Sequence, residues 1–321
     1  MSWINLRELA KKRSLFTSGH RLCAGCAAGI IGRLVMHSVP DPKHVVVVHA
    51  TGCWEVAGTI FPYTAWAVPW IHNAFENAAA TASGVELAFK ALKDKGVVKK
   101  VPDIIVFGGD GGTVDIGLQS LSGAIERGHN FLYVLYDNNA YMNTGIQRSG
   151  ATPRYAWTTT SQVGKVIPGK LEARKPIANI IAAHGNAYVA TASPAYWRDL
   201  MEKARKGIEY KGPAFIHAIS PCCRGWRFPP NMTIRVAKLA VETCAFPLWE
   251  YDPETREYKL SPPSLAIAKN PKLKKPIEEY LKLQGRFAHL FKPEKREDLI
   301  ARIQEDVDKE WNQLLELCGI T

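Results

Sequence analysis

The sequence predicts an α/β fold: a doubly wound, mainly parallel sheet with a C-terminal wrapping tail. Three observations carry this. Five short runs rich in Val, Ile, Phe and Tyr lack clear alternation, which suits strands buried on both faces. Helical patterns lie between them, and strand–helix alternation implies a parallel sheet. After about residue 224 the chain turns to loops, scattered prolines and a charged amphipathic end.

The strands are expected at 44–50 (HVVVVHA), 103–110 (DIIVFGGD), 131–138 (FLYVLYDN), 186–193 (NAYVATAS) and 213–220 (PAFIHAIS). Residues 71–94 are Ala-rich and apolar enough for a helix packed on the sheet. Residues 115–127 place Ile116, Leu118, Leu121, Ala124 and Ile125 largely on one stripe, and Gly128 can cap them. Residues 194–209 carry Leu200, Ala204 and Ile208 at four-residue spacing. A charged amphipathic helix is expected near 294–317. Between 227 and 321, Trp249, Leu281, Phe287, Leu290 and Phe291 need burial, so this tail is ordered and wraps the core or a neighbouring chain. The expected division is 1–226 and 227–321 within the 321 residues.

Composition excludes several classes. With 46% hydrophobic and 22% charged residues the chain is ordinary for a globular protein, without repeats or low complexity. No apolar run approaches bilayer length, and the N-terminal stretch has no signal-peptide pattern, so a cytoplasmic protein without membrane contact is expected. The net charge of +11 is spread out rather than interleaved with aromatics, which argues against nucleic acid and suits an acidic protein partner. Seven cysteines, an odd number, argue against a disulfide framework.

Asp110, in Gly-Gly-Asp-Gly-Gly, ends one predicted strand, and Asn138-Asn139-Ala140 ends the next. A right-handed crossover brings the two ends to one edge, where α/β sheets bind ligands. A carboxylate, an amide oxygen and a backbone carbonyl are hard ligands suited to Mg²⁺, and glycines let a diphosphate approach the backbone. The bland alternative is a tight turn and a polar loop. The full pattern resembles the motif of the thiamine diphosphate enzymes. That resemblance implies Asp110, Asn138 and the Ala140 carbonyl as Mg²⁺ ligands. It also places Gly109, Gly111 and Gly112 at the diphosphate, with Asn139 and Tyr141 against the cofactor.

Cys23 and Cys26 form a C-x-x-C pair before the first strand, Cys53 follows that strand and Cys222 follows the last one. Four thiolates hold either zinc or a 4Fe–4S cluster, and spacing alone leans to structural zinc. In their order, CAGC, ATGC, VPWIHNAFENAAATASG, GGDGGTVDIGLQSLSGAIERGH, YDNNAYMNTGIQRSGATP and SPC resemble the beta subunits of the 2-oxoacid:ferredoxin oxidoreductases. The likeness is to the pyruvate:ferredoxin type (pyruvate synthase) and covers residues 15–230. It implies Cys23, Cys26, Cys53 and Cys222 as ligands of a 4Fe–4S cluster, with Cys53 also beside the thiamine. Cys222 is preferred to Cys223 because it directly follows Pro221. Ala27 departs from the family, which usually has Gly there, and supplies no ligand. Cys244 and Cys318 read as small apolar core residues.

The resemblance further implies oxidative decarboxylation of pyruvate to acetyl-CoA and CO₂, or the reverse. Coenzyme A captures the acyl group, and electrons leave singly through the cluster to ferredoxin. Asn143 would face the thiazolium and the substrate as the catalytic side chain of this chain. Arg148 weighs evenly between holding a carboxylate and lying at the surface, and neither the His72/Glu76 pair nor His49 is given a catalytic role. No Glu stands in a context suited to activating thiamine, so an alpha subunit is expected to supply it, with gamma and ferredoxin-like delta subunits as further partners. Three alternatives remain at this stage: another 2-oxoacid or oxalate, a non-redox thiamine enzyme, and a basic zinc-binding adaptor.

Overall fold

The computed structural model describes residues 3–320. Its centre is one eight-stranded sheet in the order β2-β1-β3-β4-β6-β5-β7-β8. The strands are β1 (Val45–Ala50), β2 (Trp70–Asn73), β3 (Asp103–Gly109), β4 (Phe131–Asp137), β5 (Tyr188–Ala192), β6 (Pro213–Ile219), β7 (Trp249–Asp252) and β8 (Glu257–Leu260). The first six run parallel, and β7 and β8 are antiparallel additions. All five predicted strands are present. β1, β4, β5 and β6 are buried at every position, as continuous apolar runs in a covered parallel sheet should be.

Helices cover both faces. One face buries Ala78, Ala79 and Ala82 of the helix Ala78–Asp94, Leu121 and Ile125 of Leu118–Glu126, and Trp311 and Leu314 of the final helix, Glu297–Leu317. The other buries Ile31 and Val35 of Ala27–His37 and Leu200 and Ala204 of Trp197–Glu209. A third core gathers Trp226, Phe228, Leu239, Leu281, Phe287 and Leu290; Trp249 is buried in the first core, and Phe291, expected to be buried, is only half-buried. The tail does more than wrap the sheet: it extends the sheet, β7 pairing with β5. Among the described residues no helix is long and apolar enough to cross a membrane.

Two helix expectations need correction. The helix expected at 71–94 begins only at Ala78; Trp70–Asn73 is instead strand β2, hydrogen-bonded to β1. His72 and Glu76 therefore do not share a helix. His72 Nε2 lies 2.9 Å from Thr51 Oγ1 and 3.7 Å from Glu55 Oε2. The helix expected at 115–127 is preceded by a π-helical turn, Gly111–Ile116, closed by Gly117 N donating to Gly112 O at 2.7 Å. Such turns occur often at functional sites.

The packing behind the strand ends is tight. The Trp54 ring is fully buried and packs edge-on against Phe16 and Phe107 and tilted against Trp66. A Cβ added at Gly32 would run into that ring. Gly32→Ala is expected to cost about 1–3 kcal/mol by overpacking and to lower the melting temperature in a thermal melt. An unchanged melt would show that Trp54 has room to move.

Candidate functional site

The four adjacent strands β1, β3, β4 and β6 end on one edge, and each end carries at least one predicted site residue. Gly109 of β3 pairs with Tyr136 of β4, so Asp110 and Asn138 emerge side by side. Asp137 of β4 pairs with Ile219 of β6, which brings Cys222 to the same rim. Cys53 starts a short helix, Cys53–Gly58, three residues after β1.

Asp110 is fully buried. Its Oδ2 accepts from Ser149 Oγ (2.5 Å) and its Oδ1 from Asn138 N (3.3 Å). Burial, then the charge of Asp137, pushes its carboxyl well above the usual range. A cation beside it would offset both effects. The Asn138 carboxamide aims one arm at the Ala140 carbonyl oxygen, 2.8 Å away, and at Asp110 Oδ1, 3.1 Å away. With nitrogen in that arm the amide donates to both. With oxygen there, three oxygens face one another and call for a cation between them. Octahedral ligands about 2.0–2.1 Å from Mg²⁺ stand about 2.9 Å apart, close to the spacing seen. The donor set therefore fits Mg²⁺.

Asp110, Asn138 and Ala140 line a cleft with Thr51, Gly52, Cys53, Phe75, Gly109, Gly111, Gly112, Tyr136, Tyr141 and Asn143. The Tyr136 hydroxyl is buried without a partner inside the protein. The cleft holds only about 20 Å³ of free space; its outer wall is the loop Tyr141–Thr144, in which Asn143 and Thr144 are exposed. The glycines have a second reason to be glycine. A Cβ on Gly111 would run into the Tyr141 ring, whose hydroxyl donates to Gly111 O at 2.9 Å, and one on Gly112 would meet Phe75 O at 2.6 Å.

A second cavity of about 330 Å³ is lined by Cys23, Cys26, Cys53, Cys222 and Cys223, together with Asn138, Met142 and Asn143. Both cavities thus share Cys53, Asn138, Met142 and Asn143. Among the described residues no three His, Cys, Asp or Glu side chains stand close enough to share a single metal ion. The thiols surround a space rather than meet at a point. Burial pushes the thiol of Cys26 to about 11 and that of Cys53 to about 12, so both are protonated until an electropositive group draws the protons off. Cys222 Sγ accepts from Gly225 N (3.3 Å), whereas Cys223 Sγ donates to Ala24 O (3.3 Å). Ala27 is the first residue of its helix and is fully buried. Cys244 lies in the core and Cys318 packs against it, as expected.

Of the residues weighed in the sequence, one expected at the cofactor, Asn139, and two not assigned to it, Arg148 and His49, line neither cavity. The Asn139 amide is turned away from the cleft: Nδ2 donates to Asp137 Oδ1 (2.8 Å) and Oδ1 accepts from Arg286 (3.0 Å). Arg148 makes an exposed ion pair with Glu172 at 3.4 Å and lines neither cavity. His49 is a core residue with neither ring nitrogen partnered inside the protein, and burial lowers it to about 3, so it stays neutral. Asp137, His217, Trp226 and Arg286 form a buried network behind the loop 137–140 that has no local sequence signature.

Residues 50–218 match the family model for the thiamine pyrophosphate enzymes, C-terminal TPP-binding domain. The pyruvate synthase subunit PorB of Thermotoga maritima is 49% identical, over 99% of this chain and 98% of its own length. PorB of Methanocaldococcus jannaschii is also 49% identical, over 93% and 95%. The ketoisovalerate oxidoreductase subunit VorB of Pyrococcus abyssi is 45% identical, over 95% and 94%. Among solved structures, a 2-oxoglutarate:ferredoxin oxidoreductase from Magnetococcus marinus, with 2-oxoglutarate, coenzyme A and succinyl-CoA bound, shares the fold. Its TM-score is 0.53 at 20% identity, over 71% of this chain and 81% of that one.

Proposed function

Since this chain belongs to the thiamine pyrophosphate enzymes, and within them to the family of the pyruvate synthase PorB subunits, we propose that it is the beta subunit of a cytoplasmic pyruvate:ferredoxin oxidoreductase. The observation that carries this reading is the shared wall. The oxygen cluster of Asp110, Asn138 and Ala140 and the cysteine-lined cavity adjoin through Cys53, Asn138 and Asn143.

In this reading Asp110, Asn138 and the Ala140 carbonyl hold Mg²⁺, and Gly109, Gly111 and Gly112 border the diphosphate of thiamine diphosphate. Cys23, Cys26, Cys53 and Cys222 hold a 4Fe–4S cluster. The cavity of about 330 Å³ bordered by these thiols leaves room for a cluster, which four thiolates can hold. The bound coenzyme supplies a carbon nucleophile and an electron sink, and the cluster accepts electrons singly. This chain's part is positioning. Asn143 presents its amide where the two cavities meet, on a loop whose residues Asn143 and Thr144 are exposed. Cys53 borders both groups.

The chain needs partners. Among the described residues no glutamate lines either cavity, and in this reading an alpha subunit supplies the activating carboxylate. Phe61 and Tyr63 are 95% and 77% exposed beside Ile60 at the rim of the cysteine cavity, and such an apolar edge suits a covering subunit. Gamma and ferredoxin-like delta subunits complete the assembly, coenzyme A takes the acyl group, and the +11 charge suits an acidic ferredoxin.

A second reading, the same chemistry on a branched 2-oxoacid, is favoured by the 45% identity to the ketoisovalerate subunit. The test is anaerobic purification with native partners, analysis for about four iron and four sulfide per chain, and viologen reduction with pyruvate, 2-oxoisovalerate or oxalate, with and without coenzyme A. Pyruvate is expected to reduce the dye fastest. Faster reduction with the branched acid selects the second reading, and zinc in place of iron rejects both.

A further inference from the structure

Asn139 lies between the two loop residues offered to Mg²⁺, at a φ of 63°, in the left-handed region that side chains enter at a cost. The surrounding contacts hold it there. Its N and Nδ2 donate to Asp137 Oδ1 at 2.9 and 2.8 Å, and His217 Nε2 lies 2.7 Å from Asp137 Oδ2. The remaining amide valence, Oδ1, accepts from Arg286 at 3.0 Å. Arg286 comes from the tail, 147 residues later, and is 2% exposed.

Arg286 does a second thing. Its guanidinium stacks 3.9 Å over the Trp226 ring, and Trp226 Nε1 donates to the Asn138 carbonyl at 2.7 Å. The Trp226 backbone N–H donates to Cys222 O at 2.8 Å, and Arg286 N donates to Trp226 O at 3.3 Å. One stacked pair therefore grips the loop 137–140 from two sides and ties it to the loop that bears Cys222.

We propose that Arg286, acting with Trp226, is a positioning residue that aims the Asn138 side chain and the Ala140 carbonyl and so sets the affinity for Mg²⁺. The proposal rests on the reading of Asp110, Asn138 and Ala140 as the Mg²⁺ site. A guanidinium fits because it stacks on an indole and donates in its own plane at once. Partners at this remove typically contribute about 10–100-fold in metal affinity.

The test uses the complete enzyme with its partner subunits, stripped of thiamine diphosphate and Mg²⁺ while cluster absorbance is monitored. Mg²⁺ is then titrated at fixed thiamine diphosphate, with binding read by calorimetry rather than turnover. Arg286→Gln is expected to raise the half-saturating Mg²⁺ concentration about 10–100-fold. Arg286→Lys, which keeps a cation and one donor, should raise it less. Trp226→Phe keeps the stacked ring but loses the donor to Asn138 O, and should raise it too. This variant carries the test if Arg286→Gln does not assemble. A lower melting temperature with unchanged half-saturation in the folded variants overturns the proposal, because Arg286 would then only fasten the tail. Failure of the unsubstituted enzyme to bind thiamine diphosphate in a Mg²⁺-dependent way overturns the site reading itself, and is distinguishable from failure of the brace.

Discussion

Replacing Asp110 with asparagine is expected to abolish binding of Mg²⁺ and thiamine diphosphate together while the subunit still folds. The substitution keeps size: the new carboxamide oxygen can accept from Asn138 N, and its nitrogen can donate to Ser149 Oγ, whose hydroxyl can accept as well as donate. What disappears is the negative charge. In the metal-free chain that charge is already disfavoured, first by burial and then by Asp137, so its removal does not destabilise the empty site through lost electrostatics. With the cation the sign reverses: Asp110 is the one charged protein ligand of the proposed set, and Mg²⁺ is held by one or two carboxylates plus phosphate oxygens. The loss should exceed the about 10–100-fold that outer partners carry. A thermal melt adds a second reading. A ligand at 100 times its dissociation constant stabilises by about 2.7 kcal/mol, so the unsubstituted protein should melt higher with Mg²⁺ and thiamine diphosphate, and Asp110→Asn should not respond. Asp110→Ala should bind neither group as well, but melt lower, because two buried donors lose their acceptor. Retention of Mg²⁺-dependent binding by the asparagine variant would falsify the assignment.

The sequence displays the parts of this site that obey local rules. β1, β3, β4, β5 and β6 are legible because burial on both faces demands unbroken apolar runs, and the residues just beyond β1, β3, β4 and β6 then fall on one rim. β2, β7 and β8 are not legible. Each has four residues, and exposed or half-buried positions interrupt the apolar signal. The Ala-rich stretch after β2 drew the helix expectation back over residues 71–73, where hydrogen bonds to β1 override helix preference. The Arg286–Trp226 brace leaves no trace at all in the sequence. Its partners lie 147 and 88 residues from their acceptors, and neither residue type is distinctive where it stands. Asn139 is the instructive case. Beside Asn138 it reads as a second polar group for the cofactor, yet its left-handed backbone turns the side chain inward to Asp137 and Arg286, where it shapes the loop instead.

Cys53→Ser is expected to separate binding from electron transfer. Cys53 touches both cavities, but none of the three oxygens gathered at Asp110 depends on it. The replacement is nearly isosteric at the first turn of a short helix whose N-cap, Gly52, has no side chain to lose. Serine is a poor substitute for thiolate in an iron–sulfur centre. The variant should therefore bind Mg²⁺ and thiamine diphosphate like the unsubstituted enzyme, while iron and sulfide per chain fall, the visible absorbance fades, and 2-oxoacid-dependent viologen reduction drops to the rate seen without 2-oxoacid. Cys223→Ser is the matched control. Its Sγ is engaged with the Ala24 carbonyl, a bond serine can replace, so cluster content and dye reduction should persist. If Cys223→Ser loses the cluster and Cys222→Ser keeps it, the fourth ligand is Cys223. If Cys53→Ser reduces dye undiminished with its cluster lost, electrons leave the coenzyme by a path that does not cross the shared wall.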